Sequence, residues 1–231
     1  MKVKALFISD VHLGSKGSNA HELLSILKKY EPANLFIVGD FIDGWLLKSR
    51  HYWKKDFTQV IRKILSLSEN GCRITYVTGN HDDFLRQYTP FDLGKNIKIV
   101  DECIWNNHLI THGDLYDGVV QMKWLGMLGG WGYEVAITID RTLKQLGYKK
   151  SLSKWIKQKV KNAVKFIVSF EKQLIYQAQK RGCAGVVCGH IHTPEIKEYH
   201  GMMYINCGDW IENNSYVIYD KHKFEIKYFK N

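Results

Sequence analysis

LFIVGDFID, residues 35–43, is four apolar residues followed by a turn that carries two carboxylates. Leu35–Val38 reads as a short buried strand, and it ends in Gly39-Asp40. The same grammar recurs on both sides. Val3–Ser9 is a strand pattern ending at Asp10, and Ile74–Thr78 is one ending in Gly79-Asn80-His81-Asp82. Between them, His21–Tyr30 reads as a helix. So does Trp53–Ser68, with apolar positions Phe57, Val60, Ile61, Ile64 and Leu65 at helical spacing. This βαβαβ rhythm predicts an α/β sheet with helices on its faces.

Further on, Ile97–Val100, Cys103–Trp105 and Leu109–Thr111 read as short strands. Residues 115–181 lack strand signals and read as helices. Strand patterns then return at Gly185–Cys188, Glu195–Tyr199, Met203–Asn206, Ser215–Tyr219 and Phe224–Tyr228. The expected organisation is an α/β core from 1–114 and 182–231, interrupted by a helical insert at 115–181.

Charge marks the same segment. The 231 residues carry a formal charge of +10. Residues 141–181 hold twelve Lys or Arg and one acid, Glu171, hence +11, which leaves −1 for the rest. A near-neutral body with a basic insert expects an anionic partner: a phosphate substrate, a membrane surface or nucleic acid. One helix is expected over residues 152–176. Leu152, Ile156, Val160, Ala163, Ile167, Phe170 and Leu174 share a narrow face, with Lys154, Lys161, Lys165 and Lys172 opposite.

The bulk numbers exclude other classes. A composition 45% hydrophobic and 24% charged is that of a globular chain. No stretch approaches the ~20 apolar residues of a membrane span. The N-terminal apolar run is too short for a signal peptide. The five cysteines are odd in number and scattered, which fits a reducing cytoplasm rather than a disulfide framework.

Chemistry-bearing side chains follow strand after strand: Asp10 and His12; Asp40 and Asp43; Asn80, His81 and Asp82; His112 and Asp114; His190 and His192. In open α/β sheets, sites form beyond the carboxyl ends of strands. In Gly189-His190-Ile191-His192 the two histidines, two residues apart, point the same way on an extended segment, as a ligand pair would.

The set D-x-H, G-D-x-x-D, G-N-H-D, H-G-D and G-H-x-H, in that order, resembles the calcineurin-like metallophosphoesterases. Each motif alone is weak; five in order are specific. The resemblance covers nearly the whole chain outside the insert. It implies a β-sandwich of two mixed sheets flanked by helices, here with a helical cap. It implies two divalent metal ions, with Asp10, His12 and His192 on one, Asn80, His112 and His190 on the other, and Asp40 bridging. Ligands of oxygen and imidazole without thiolate suit Mn²⁺, Fe or Zn²⁺ over soft metals, and Mn²⁺ is taken as the expected ion. Attack on phosphorus by a metal-activated hydroxide follows from such a pair. Cys188, immediately before the last motif, reads as a small buried side chain rather than a ligand. By the same resemblance His81 is the general acid, with Asp82 as its partner. Asn80, His81 and His190 also face substrate. Asp43 and Asp114 orient ligand imidazoles, or else cap turns.

Within that superfamily the chain looks most similar to the UDP-2,3-diacylglucosamine hydrolases of lipid A biosynthesis. The shared features are length, the opening FISDVHLG, the segment GNHDDFL and a helical insert between H-G-D and G-H-x-H. That branch cleaves a sugar-nucleotide pyrophosphate to a lipid phosphate and UMP, and its insert caps the site. The likeness implies a cytoplasmic enzyme, peripheral on the inner membrane. Trp124, Leu125, Met127, Leu128, Trp131 and Tyr133 could line an acyl slot or simply pack the insert. Asn162 and Lys165 match a substrate-contacting pair. One departure stands out: the best-known members of the branch have Arg where this chain has His81. That leaves the acylated substrate open against another phosphodiester or pyrophosphate. The rival is a phosphodiesterase or nuclease that uses the basic insert to track a nucleic-acid backbone. A non-catalytic scaffold is disfavoured because all seven metal positions are intact.

Overall fold

The computed structural model describes residues 1–49, 51–117 and 152–230, and in 152–165 the backbone alone. The chain divides into two compact units, Met1–Asp114 with Leu174–Asn231, and Leu115–Gln173. The first is a sandwich of two mixed sheets. One sheet contains β1 (Lys2–Ile8), β2 (Glu31–Val38), β3 (Arg73–Val77), β4 (Phe91–Leu93), β5 (Ile97–Val100), β11 (Ser215–Asp220) and β12 (Lys223–Tyr228). Their spatial order is β12-β11-β1-β2-β3-β5-β4, with β1, β2, β3 and β5 mutually parallel. The other sheet contains β6 (Glu102–Trp105), β7 (His108–Thr111), β8 (Gly185–Cys188), β9 (Glu195–Tyr199) and β10 (Met202–Asn206), in the order β6-β7-β8-β10-β9. Its three central strands are parallel.

The apolar runs of β1 and β2 are uninterrupted because both faces are covered. Ala5, Phe7, Phe36 and Val38 point between the sheets, where they meet Ile110, Val187 and Ile205. The Phe7 and Phe36 rings stack at 4.7 Å. Leu6, Ile8, Leu35 and Ile37 point the other way, into a cluster shared with Leu23 and Leu27 of α1 (Ala20–Lys29). Phe57, Val60 and Ile64 of α3 (Lys55–Glu69) join that cluster, while α2 (Gly44–Ser49) is a short helix after the second strand. Burying each such large side chain contributes about 1.5–3 kcal/mol.

Several elements depart from the sequence reading. Leu65 is 42% exposed rather than core. Eight residues after Phe57 it is rotated roughly 80° from the buried row, where Ile64 sits instead. Strand β2 starts at Glu31, four residues early, because Glu31–Asn34 pair with Lys2–Ala5 through backbone bonds that hydropathy does not register. The short α2 and β4 have no periodicity to announce them. Helix α4 (Leu152–Lys180) runs past residue 176. Asn162 and Lys165 lie on it, where the side chains are outside the described residues. Trp124, Leu125, Met127, Leu128, Trp131 and Tyr133 lie outside the described residues altogether. Among the described residues no helix is long and apolar enough to cross a membrane.

Candidate active site

Parallel strands point their carboxyl ends one way, so β1, β2, β3, β7 and β8 deliver their following turns to one end of the sandwich. A pocket of about 310 Å³ opens there, lined by His12, Ser15, Asp40, Asp43, Asn80, His81, His190, His192 and Ile211. Asp10 and His112 are buried beside it, with exposures of 0% and 1%.

Five of these residues turn off their strands with a left-handed backbone: Asp10 (φ 52°), His12 (50°), Asp40 (52°), His190 (73°) and His192 (51°). Such a conformation costs on the order of 1 kcal/mol or more per non-glycine residue, though Asp and His tolerate it better than most. Hydrogen bonds between turns hold it. Asp10 N–H donates to Gly39 O (3.1 Å), His12 N–H to Asp40 O (2.9 Å) and Trp210 N–H to Asp10 O (3.0 Å). The two β8 histidines come back onto the β1 acid: His190 N–H donates to Asp10 Oδ2 (3.0 Å), and His192 Nε2 lies 3.1 Å from Asp10 Oδ1.

Asp40 sits at the centre. Its Oδ1 accepts the His81 N–H at 2.8 Å. Its Oδ2 faces three imidazoles, at 3.3 Å from His112 Nε2, 3.9 Å from His12 Nε2 and 4.0 Å from His81 Nε2. His112 and His190 rings are 5.1 Å apart. Asp10, His12 and His192 offer ligand atoms close enough for one ion, and so do Asp10, Asp40 and His112. His12 Nε2, Asn80 Oδ1 and His112 Nε2 are buried with no hydrogen-bond partner among the described residues. Orphaned polar atoms of that kind are rare in folded interiors. Here each is an atom that would ligate a cation, so the residues fit a metal pair.

The electrostatics agree with a cation site. Burial alone would raise the Asp10 carboxyl, but the imidazoles of His112 and His192 outweigh it and bring it down to about 2. Burial opposes ionisation of Asp40 too, and His112 and His12 hold it well below the usual carboxylate range. Reciprocally, burial lowers His192 but Asp10 lifts it to about 9. Burial also disfavours the charged form of His112, yet Asp40 and Asp10 raise it well above the usual imidazole range, so protons on His112 and His192 offset the buried carboxylates. Those protons must leave when an ion binds.

The acids beside the ligands are not distributed as the sequence suggests. The carboxylate against the His81 ring is Asp43, not Asp82: His81 Nδ1 lies 3.2 Å from Asp43 Oδ1, short of good hydrogen-bond alignment. Asp43 Oδ2 is 3.4 Å from His12 Nδ1, so one acid serves two imidazoles. Asp82 turns away because backbone amides claim it: it accepts from Phe41 N–H (2.9 Å), Gly79 N–H and Tyr76 O–H (2.6 Å). Burial and the Asp40 charge raise its carboxyl to about 6. Asp114 acts on His112 by its charge, which raises that imidazole, and its own oxygens are taken by an arginine. The Arg86 guanidinium grips it with two bonds, of 2.8 and 2.9 Å.

Other contributors escaped the sequence reading. Ser9 Oγ is 2.5 Å from Asp10 Oδ2 and 2.6 Å from Val38 O. The Trp45 indole covers His81, with centroids 4.1 Å apart, and stays 38% exposed. Asp209 accepts the amides of Ile211 and Glu212, while Asn213 Nδ2 donates to His192 O. Ser9 stands inside FISDVHLG without being singled out there, and the others stand in no motif.

The motif glycines are required by close approach. A Cβ on Gly79 would enter the Asp40 carboxylate and backbone, and one on Gly189 would enter Ser9 Oγ and Asp10 Oδ2. Gly189→Ala is therefore expected to push Asp10 aside although it removes no ligand. Overpacking of this kind costs about 1–3 kcal/mol. A thermal melt should show Tm several degrees lower, and metal uptake should fall in parallel.

A mixed sandwich with acid and imidazole gathered at the carboxyl ends of five strands defines a metal-dependent phosphoesterase. The calcineurin-like phosphoesterase profile matches residues 3–194, and the chain belongs to that family, which uses a dinuclear divalent metal site. Among its relatives, the UDP-2,3-diacylglucosamine hydrolase of Porphyromonas gingivalis is 24% identical, over 95% of this chain and 95% of that one. The protein of the same name from Neisseria gonorrhoeae is 26% identical, over 91% and 90%. Yfce, a phosphoesterase from E. coli, superposes with a TM-score of 0.50 at 14% identity, covering 98% of this chain and 93% of that one, and shares the fold.

Proposed function

We propose that the protein hydrolyses the pyrophosphate of UDP-2,3-diacylglucosamine, or of a closely related acylated nucleotide, to a lipid phosphate and UMP. The observation that carries the chemistry is the set of buried ligand atoms around Asp40 that have no hydrogen-bond partner among the described residues. What supports the substrate is a likeness to the two hydrolases that spans at least 90% of either chain.

In this reading Asp10, His12 and His192 hold one ion, Asn80, His112 and His190 the other, and Asp40 joins them. Mn²⁺ is our assignment for a donor set of carboxylate, amide and imidazole, with Fe and Zn²⁺ as alternatives. When bound, such a pair offsets charge on the phosphate and makes water acidic enough to attack in line. Asp43 orients His12 and His81 together. With Nδ1–H aimed at Asp43, His81 presents Nε2 toward Asp40 and the pocket, where it can give a proton to the leaving oxygen. Asn80, His81 and His190 contact the substrate phosphates. The core of residues 1–114 and 182–231 carries this machinery. By likeness to those hydrolases we assign Asn162 and Lys165 to substrate binding and the basic segment to an anionic membrane surface.

The test offers UDP-2,3-diacylglucosamine, bis(p-nitrophenyl) phosphate and single-stranded DNA in parallel, with Mn²⁺. UMP release from the acylated nucleotide, far above turnover of the others, is the expected result. Turnover of the generic diester alone would remove the lipid assignment. Preferential DNA cleavage would make the basic segment a backbone track.

A further inference from the structure

We propose that Asp82, with Tyr76, is a positioning residue for the metal pair: it fastens the turn that carries Asn80 to the turn that carries Asp40. The inference rests on the metal reading above and goes beyond the ligand set. Asp82 is fully buried and does not line the pocket. An ionisable side chain in such a place is costly unless its acceptors are filled, and here they are filled by three donors. The Phe41 N–H belongs to the residue after Asp40, and the Gly79 N–H to the residue before Asn80. One carboxylate thus spans both turns. The Tyr76 hydroxyl donates to Asp82 Oδ2 at 2.6 Å and ties it to strand β3. The Tyr76 ring also meets Phe41 edge-on, with centroids 5.8 Å apart.

The connection is reciprocal. Asp40 Oδ1 accepts the His81 N–H at 2.8 Å, so each turn's acid accepts an amide of the other turn. That pairing selects the Asp40 rotamer. With Oδ1 engaged, Oδ2 is left facing His112 Nε2 at 3.3 Å and His12 Nε2 at 3.9 Å, where a bridging oxygen is needed. Asp82 therefore acts through Asp40 and Asn80, on how tightly the second ion is held.

The test is calorimetric titration of the metal-stripped full chain with Mn²⁺, for the wild type, Asp82→Asn and Tyr76→Phe, each checked by circular dichroism. The wild type should bind two ions. Asp82→Asn keeps the shape but loses one amide acceptor, and it should weaken the second ion about 10–100-fold, the usual range for partners behind a ligand. Tyr76→Phe should do so by a smaller factor. Both should regain most of the wild-type kcat at saturating Mn²⁺, because no group that touches substrate has changed. If the wild type binds two ions and both variants match its affinity, the inference fails alone. A kcat deficit that saturating Mn²⁺ does not restore would also overturn it. A wild type that binds fewer than two ions would sink the metal reading and this inference together. Should Asp82→Asn fail to fold, Tyr76→Phe still decides between these outcomes.

Discussion

An Asp40→Ala chain is expected to lose at least about a thousandfold in kcat/KM on any phosphoester the protein turns over. Several kcal/mol of transition-state stabilisation rest on a metal pair, and each ~1.4 kcal/mol is tenfold in rate. Asp40 is where that stabilisation is concentrated. Its Oδ2 lies within 4.0 Å of three imidazoles, and its Oδ1 secures the turn after β3. On the proposed assignment, alanine would remove the carboxylate shared by the two ions, and it takes away the acceptor of the His81 N–H. The fold should survive, because the sandwich interior is built from Phe7, Phe36, Val38 and Ile110 and not from the site. Initial rates with and without excess Mn²⁺, beside a thermal melt, check this. Activity within tenfold of the wild type would remove Asp40 from the centre of the account.

The second large effect belongs to His81. His81→Ala should reduce kcat by about 10²–10⁴-fold on an alkyl phosphodiester, whose alkoxide leaving group needs a proton. The geometry gives the reason: Asp43 lies 3.2 Å from Nδ1, Trp45 covers one face, and Nε2 faces the pocket side of Asp40. The deficit should shrink sharply with bis(p-nitrophenyl) phosphate, because p-nitrophenolate departs without protonation. His81→Arg separates two roles. It restores a positive charge but not a transferable proton. Recovery of wild-type kcat by arginine would make charge the operative property. An equal loss for good and poor leaving groups would remove the general-acid role.

Much of this site was legible in the chain because its chemistry restricts residue types. Only carboxylate, amide and imidazole serve, and parallel strands must deliver them at carboxyl ends. The motifs around Asp10, Asp40, Asn80, His112 and His190 therefore stand out, each after an apolar run. The supporting shell was not legible. Asp82 adjoins His81 in sequence, yet its side chain turns to Phe41 N–H and Tyr76 O–H, while Asp43, 38 positions earlier, meets the imidazole. Backbone amides compete for carboxylates, and sequence spacing does not show which wins. Arg86 taking Asp114 has the same origin. Ser9, Trp45 and Asp209 belong to residue types that serve equally well in cores and turns, so only coordinates single them out. In the fold, the strands covered on both faces were plain from apolar runs. The start of β2 at Glu31 depended on backbone pairing with β1, to which hydropathy is blind.

The central claim is that five strand ends place two ions on either side of Asp40. Mn²⁺ electron paramagnetic resonance on the metal-stripped chain, reloaded stepwise, tests it most directly. The account predicts two equivalents bound per chain, with the spectrum changing from isolated ions to a spin-coupled pair as the second is added, because one carboxylate bridges both. Saturation at a single equivalent, or two equivalents with no coupling between them, would contradict it.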